Sequence, residues 1–170
     1  MSRRSAREIA LKTLFALDFA SNGDVENAFA AGQETDKEPL DVLNFAGDEE
    51  PALIDGQAQD KEMSHEEKAK EEEHQRELAF SHSLVTGTKE KQAEIDEELS
   101  KLSKDWKLDR MSTIDRNLLR MSVYEIRYGE EKTPASIVIN EAVELAKIYG
   151  TDESAGFING ILGTLVRNNG

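Results

Sequence analysis

The sequence predicts an all-α protein, a helical bundle of about seven helices. Three observations carry this. Apolar residues recur at spacings of three and four over most of the chain, the signature of amphipathic helices. No stretch shows the alternation of a strand. Cap and stop residues fall where the apolar periodicity begins and ends.

The first helix is predicted over residues 5–20, with Ala6, Ala10, Thr13, Leu14 and Leu17 on one face and Asn22-Gly23 as its stop. Residues 24–31 suit a further short helix. Residues 32–73 change character: Phe45 is their one aromatic, and Gly, Pro, Asp, Glu and Gln dominate. Such a stretch buries too little apolar surface to offset the entropy of ordering it, so it reads as a mostly disordered acidic insertion. The helix formers of residues 65–77 are expected to join its end to the next helix.

Leu78, Leu84 and Val85 mark that helix, expected to end near Gly87. Ala93, Ile95, Leu99 and Leu102 mark another, ending before Trp106. Ser112 suits the cap of a third, running to about Tyr128 and apolar nearly all round, as befits the middle of a bundle. Thr133 as N-cap and Pro134 at the first helical position open the next, with Gly150 at its end. Asp152 or Ser154 opens the last, with Phe157, Ile158, Ile161, Leu162 and Leu165 apolar. Its glycines, Gly156, Gly160 and Gly163, are each unfavourable by roughly 1 kcal/mol inside a helix relative to alanine. Close approach of another backbone is the expected reason for them.

Composition narrows the function. The 170 residues contain no cysteine, which excludes disulfides, zinc–thiolate sites and cysteine nucleophiles. No apolar run approaches the roughly 20 residues that span a bilayer. The N-terminus lacks a secretory cleavage pattern, so the expected location is cytoplasmic. The net charge of −14 argues at first against nucleic acid, but residues 31–77 hold 16 acidic and 5 basic side chains, while residues 1–30 balance at four against four. The acidity belongs mostly to the insertion. His65, His74 and His82 make no metal-binding pair, and no phosphate loop, dinucleotide fingerprint or nucleophile elbow is present. No catalytic residue, metal or cofactor is expected.

Two features suggest binding. Arg3, Arg4 and Arg7, with Lys12 a turn further on, open the first helix. Guanidinium forks beside free helix N–H groups suit phosphate, although a frayed basic terminus gives the same pattern. Leu11, Phe15 and Phe19 form a second apolar stripe on that helix, suited either to core packing or to a partner.

INEAVELAK at residues 139–147, a short glycine-containing link, and FINGIL at 157–162 resemble the NusB family's signature, and SRRSARE at residues 2–8 resembles its arginine-rich motif. The resemblance spans residues 2–30 and 74–168 and implies two three-helix subdomains, seven helices in all, as a single domain over 1–170. Residues 32–73 fall outside the usual pattern, as an enlarged interhelical connection. It also implies a non-enzymatic transcription antitermination factor that binds boxA RNA of ribosomal operons with NusE, a ribosomal small-subunit protein, in an RNA polymerase complex. Carried over position by position, Arg3, Arg4 and Arg7 match RNA-binding arginines, with Ser5 where many relatives carry a basic residue. Glu153 and Phe157 match positions near the RNA-facing surface, where Phe157 suits either base stacking or core packing. Phe15 and Phe19, with Leu11 on their stripe, match the partner-facing side, and Asp115 matches an acidic residue at the NusE contact. A monomer or weak homodimer is expected. The competing readings are a protein–protein adaptor or ribosomal RNA maturation module without RNA specificity, and a subunit of an RNA-modifying enzyme.

Overall fold

A computed structural model describes residues 3–19, 24–34, 63–103 and 105–168, and among these every regular element is helical. Seven α-helices follow in order: α1 (Arg3–Phe19), α2 (Val25–Glu34), α3 (His65–Glu90), α4 (Gln92–Leu102), α5 (Thr113–Tyr128), α6 (Ala135–Tyr149) and α7 (Ser154–Arg167), with a 3₁₀ turn at Leu108–Arg110 before α5. Helices α1, α2 and α3 pack on one another, α4, α6 and α7 gather on α5, and α5 also meets α1 and α3. Buried side chains from α1 through α7 make one continuous core.

Local chemistry sets most helix ends. Asp24 accepts from the backbone N–H of Glu26 and Asn27 at the start of α2. Ser64 and Glu67 form a reciprocal capping box that starts α3, satisfying two otherwise orphaned donors. The Ser112 hydroxyl accepts from the Asp115 N–H and starts α5. In α6 the cap falls on Pro134 instead of Thr133, with no side-chain hydrogen bond there.

The capping box at Ser64 moves the boundaries of the expected insertion. Residues 32–34 finish α2 and residues 65–73 are helical, while residues 35–62 lie outside the described residues, as do Asn22 and Gly23. The first turns of α3, up to Arg76, are exposed on every side. Their order therefore comes from helix propensity, the cap and pairs such as Gln75 with Glu71, not from packing.

Helix α3 also runs through Gly87 to Glu90. Gly87 is kept for space, since a Cβ there would overlap the ring of Tyr124 on α5. We expect Gly87→Ala to lower stability by roughly 2–3 kcal/mol through overpacking, read as a lower urea midpoint at unchanged slope. A midpoint within error of the parent would show that the Tyr124 ring moves aside freely.

Gly150 has an extended, not left-handed, backbone, and a Cβ there would lie 2.5 Å from the Ser154 hydroxyl and 2.8 Å from the Ala146 carbonyl. That hydroxyl accepts from the Thr151 N–H and turns the chain into α7. The glycines of α7 depart from expectation. Among the described residues no other backbone approaches them: a Cβ at Gly156 or Gly160 would meet nothing within 4 Å, and one at Gly163 would meet only the Arg167 side chain.

Helix α1 lies against α2, α3 and α5, so it is buried on more than its Ala6–Leu17 face. Leu11 is wholly buried and belongs to the core, which corrects its assignment to a partner-facing stripe. Phe15 is half-buried and Phe19 is 68% exposed, with their rings 4.9 Å apart. The stripe thus leaves the core only at the C-terminal end of α1.

Candidate functional site

Helices α1 and α5 run antiparallel, because Arg7 of α1 meets Glu125 near the end of α5 while Asp18 meets Arg116 and Asn117 near its start. The residues singled out from the sequence therefore divide between two ends of the molecule. Eleven helical steps, about 16 Å of helix axis, separate Arg4 from Phe15.

At the first end each arginine has an internal carboxylate. Arg4 Nε and Nη2 donate to the two oxygens of Glu141 on α6 at 2.8 and 3.1 Å. Arg3 Nη2 lies 2.5 Å from Glu131, its Nε is 3.6 Å from Glu77, and its guanidinium lies 4.0 Å over the Phe80 ring. Both Arg3 and Arg4 remain substantially exposed at the surface. Nη1 of Arg3 and Oε2 of Glu77 are buried and without hydrogen-bond partners. These pairs offset the unfavourable meeting of cations with the positive end of α1, whose first turn has no acidic residue.

Arg7 is different. It is 4% exposed, as is Glu125, and Nε and Nη2 donate to both carboxylate oxygens at 3.0 and 2.5 Å. Its guanidinium is thereby turned inward and leaves almost no open surface, unlike those of Arg3 and Arg4. Lys12 is buried too, with Nζ 5.9 Å from the Tyr149 ring centre.

The Arg4–Glu141 pair shifts both groups. The hydrogen bond to Glu141, followed by its charge, holds Arg4 protonated above its ordinary range. The hydrogen bond from Arg4, aided by the charges of Arg4 and Arg7 and opposed by burial, lowers the Glu141 carboxyl below the usual carboxylate range. Burial, with the charges of Glu130 and Glu90, raises the Tyr124 phenol. The Arg4 and Glu141 shifts both favour the charged forms, so the Arg4–Glu141 pair is ionic at neutral pH.

At the second end Asp115, Glu153 and Phe157 come together. They line one hollow of about 200 Å³ with Trp106, Arg110, Met111, Ser112, Thr151 and Ser154. Asp115 Oδ1 is buried there without a hydrogen-bond partner. Glu153 is exposed, and Phe157 is half-buried against the core. The Phe15–Phe19 pair leaves α1 at this same end, next to the Asp18 bonds to α5.

Several of these residues escaped the sequence reading. Glu125, Glu131 and Glu141 look like ordinary acids on helix faces, and only long-range packing shows that each faces an arginine. Trp106 is passed over as a helix boundary, although a lone tryptophan between Lys104 and Lys107 is a visible signal for a binding surface.

Comparison with known proteins gives consistent relatives. The NusB family profile matches residues 39–167, beginning inside the segment expected to fall outside the family pattern. A transcription antitermination protein NusB of Desulforamulus reducens is 36% identical over 168 residues, 99% of this chain and 92% of the relative. One of Elusimicrobium minutum is 40% identical over 162 residues, 95% of this chain and 90% of the relative. Among solved structures, T. maritima NusB superposes with a TM-score of 0.69 at 26% identity, covering 98% of this chain and 92% of that one. A complex of antitermination factors NusB and NusE with double-stranded RNA gives 0.66 at 20% identity, covering 98% and 96%, a likeness of fold.

Proposed function

This chain belongs to the NusB family, and from that premise we propose that it is a transcription antitermination factor that binds boxA RNA of ribosomal operons together with NusE, within an RNA polymerase complex. The action is binding without chemistry. The observation that carries the reading is the pair Arg3 and Arg4, consecutive arginines at the start of α1 that keep exposed surface while each is held by a carboxylate. An RNA phosphate takes the place of Glu131 or Glu141, exchanging one charge-assisted bond for another. Arg7, turned inward onto Glu125, acts one step back by fixing the start of α1 on α5. Phe15, Phe19 and Asp115 serve the protein partner, and Glu153 and Phe157 serve the RNA.

The relatives' shared name and the fold likeness to a complex containing NusE and RNA support this assignment. Fluorescence anisotropy of a labelled boxA-like RNA, with and without NusE across a salt series, tests it. We expect tighter RNA binding with NusE present and, by reciprocity, tighter NusE binding with RNA present. A folded protein that binds NusE but no RNA at low salt would point instead to a protein–protein adaptor.

A further inference from the structure

Arg3 and Arg4 are neighbours in sequence but are held differently. Arg4 is hydrogen-bonded to Glu141, and no aromatic ring lies under its guanidinium among the described residues. Arg3 lies on a seat built by α3. Its guanidinium carbon stands 4.0 Å above the centre of the Phe80 ring, with Glu77 3.6 Å from Nε and Glu131 bonded to Nη2. A cation over the face of a ring is attracted by the ring's quadrupole, more strongly where water is partly excluded. Nη1 of Arg3 is buried, so one side of this guanidinium is screened from water.

Phe80 is only half-buried. It packs against the core, and it also lines a surface hollow of about 290 Å³ together with Arg3, Arg76 and Tyr124. A leucine would fill the core side as well, but only an aromatic ring offers a face to a cation. The same ring has the Arg7 guanidinium 5.4 Å from its centre, and Arg7 is bonded in turn to Glu125 on α5. Phe80 therefore links the exposed arginine to the buried, paired one a turn further along α1.

The place of Phe80 on α3 matters too. Residues 65–76 of that helix are exposed on every side, and Glu77 is its first buried residue. The helix meets the body of the protein where Glu77 and Phe80 receive Arg3.

A long side chain that is ordered only on binding costs affinity. Arg3 is already ordered by Phe80 and Glu77, while its partner Glu131 remains well exposed. Exchange of Glu131 for a phosphate then leaves the rest of the side chain in place. We propose that Phe80 is a positioning residue for RNA, holding the Arg3 guanidinium ready for a phosphate. This rests on the RNA-binding reading above. The ring acts through Arg3 and is not itself a ligand.

Phe80→Leu keeps apolar bulk and removes the aromatic face, and Phe80→Tyr keeps the face. Anisotropy of a labelled single-stranded boxA-like RNA is measured with NusE present across a salt series. The parent, both variants, Arg3→Ala and the double variant Phe80→Leu with Arg3→Ala are compared, with circular dichroism to confirm helicity. Phe80→Leu should weaken RNA binding about 2- to 12-fold, the span set by ordering one long side chain, and Phe80→Tyr should restore most of it. The log–log salt slope of Phe80→Leu should stay that of the parent, because the phosphate contact is still made once RNA is bound. Arg3→Ala should flatten that slope by about 0.7. In the Arg3→Ala background Phe80→Leu should have no further effect. Parent-like affinity for Phe80→Leu overturns the inference, and so does a loss that persists in the Arg3→Ala background, which marks a purely structural role. Both outcomes leave the RNA-binding reading standing. RNA binding that Arg3→Ala leaves unchanged also overturns the inference, since Arg3 is then no ligand. No RNA binding by the folded parent overturns this inference and the RNA-binding reading together.

Discussion

Glu125→Ala is expected to destabilise the protein by about 3–5 kcal/mol, because it leaves the Arg7 guanidinium buried and unpaired. At about 2–4 °C per kcal/mol for a chain of this size, thermal denaturation should show a Tm lower by about 10 °C. Both partners are only 4% exposed, so little water reaches the abandoned charge. Replacing both partners, Arg7→Met with Glu125→Leu, removes the two buried charges together and should recover most of the loss. The comparison separates an unpaired charge from mere loss of packing. A loss below about 1 kcal/mol for Glu125→Ala, the range of exposed pairs, would mean that Arg7 reaches solvent and stands beside Arg3 and Arg4 as a phosphate ligand.

The second large effect concerns binding. Arg3→Ala with Arg4→Ala is expected to weaken boxA RNA binding by about 10- to 100-fold at moderate salt, with the fold and NusE binding intact. Two phosphate contacts disappear, and Glu131 and Glu141 remain as uncompensated negative charge at the same surface. The log–log dependence of affinity on salt should flatten by about 1.4, near 0.7 for each contact to a single strand. Stability should change little, since exposed ion pairs contribute about 0–1 kcal/mol. Anisotropy across a salt series, with circular dichroism to confirm helicity, checks both statements. Unchanged affinity and slope would remove the arginines from the RNA surface and favour the adaptor reading.

These two effects divide a motif that is uniform in the sequence. Arg3, Arg4 and Arg7 differ only in their position around one helix. Arg7 falls on the side of α1 that α5 covers, and Arg3 and Arg4 fall on its margin. The Leu11, Phe15 and Phe19 stripe divides in the same way. Its spacing of four is regular, yet Leu11 lies under neighbouring helices and Phe19 lies beyond them. In the last helix, Gly156 and Gly160 suggest close helix packing but face open space among the described residues.

What the sequence determined by itself is what depends on near neighbours. The 3.6-residue periodicity, the cap at Ser112 and the bounds of α5 within a residue all follow from side chains within one turn. The family signature in α6 and α7 is equally local. The start of α3 also belongs to this class: Ser64 and Glu67 are three residues apart and spell a capping box in the sequence. Only the tertiary structure decided which arginine meets which carboxylate, which face of α1 is covered, and that Trp106 stands beside Phe157. Those pairings join residues 51 to 137 positions apart, as in Trp106 with Phe157 and Arg4 with Glu141. Periodicity can state that a face is apolar or charged, but the element that covers it is chosen by the packing of the whole core.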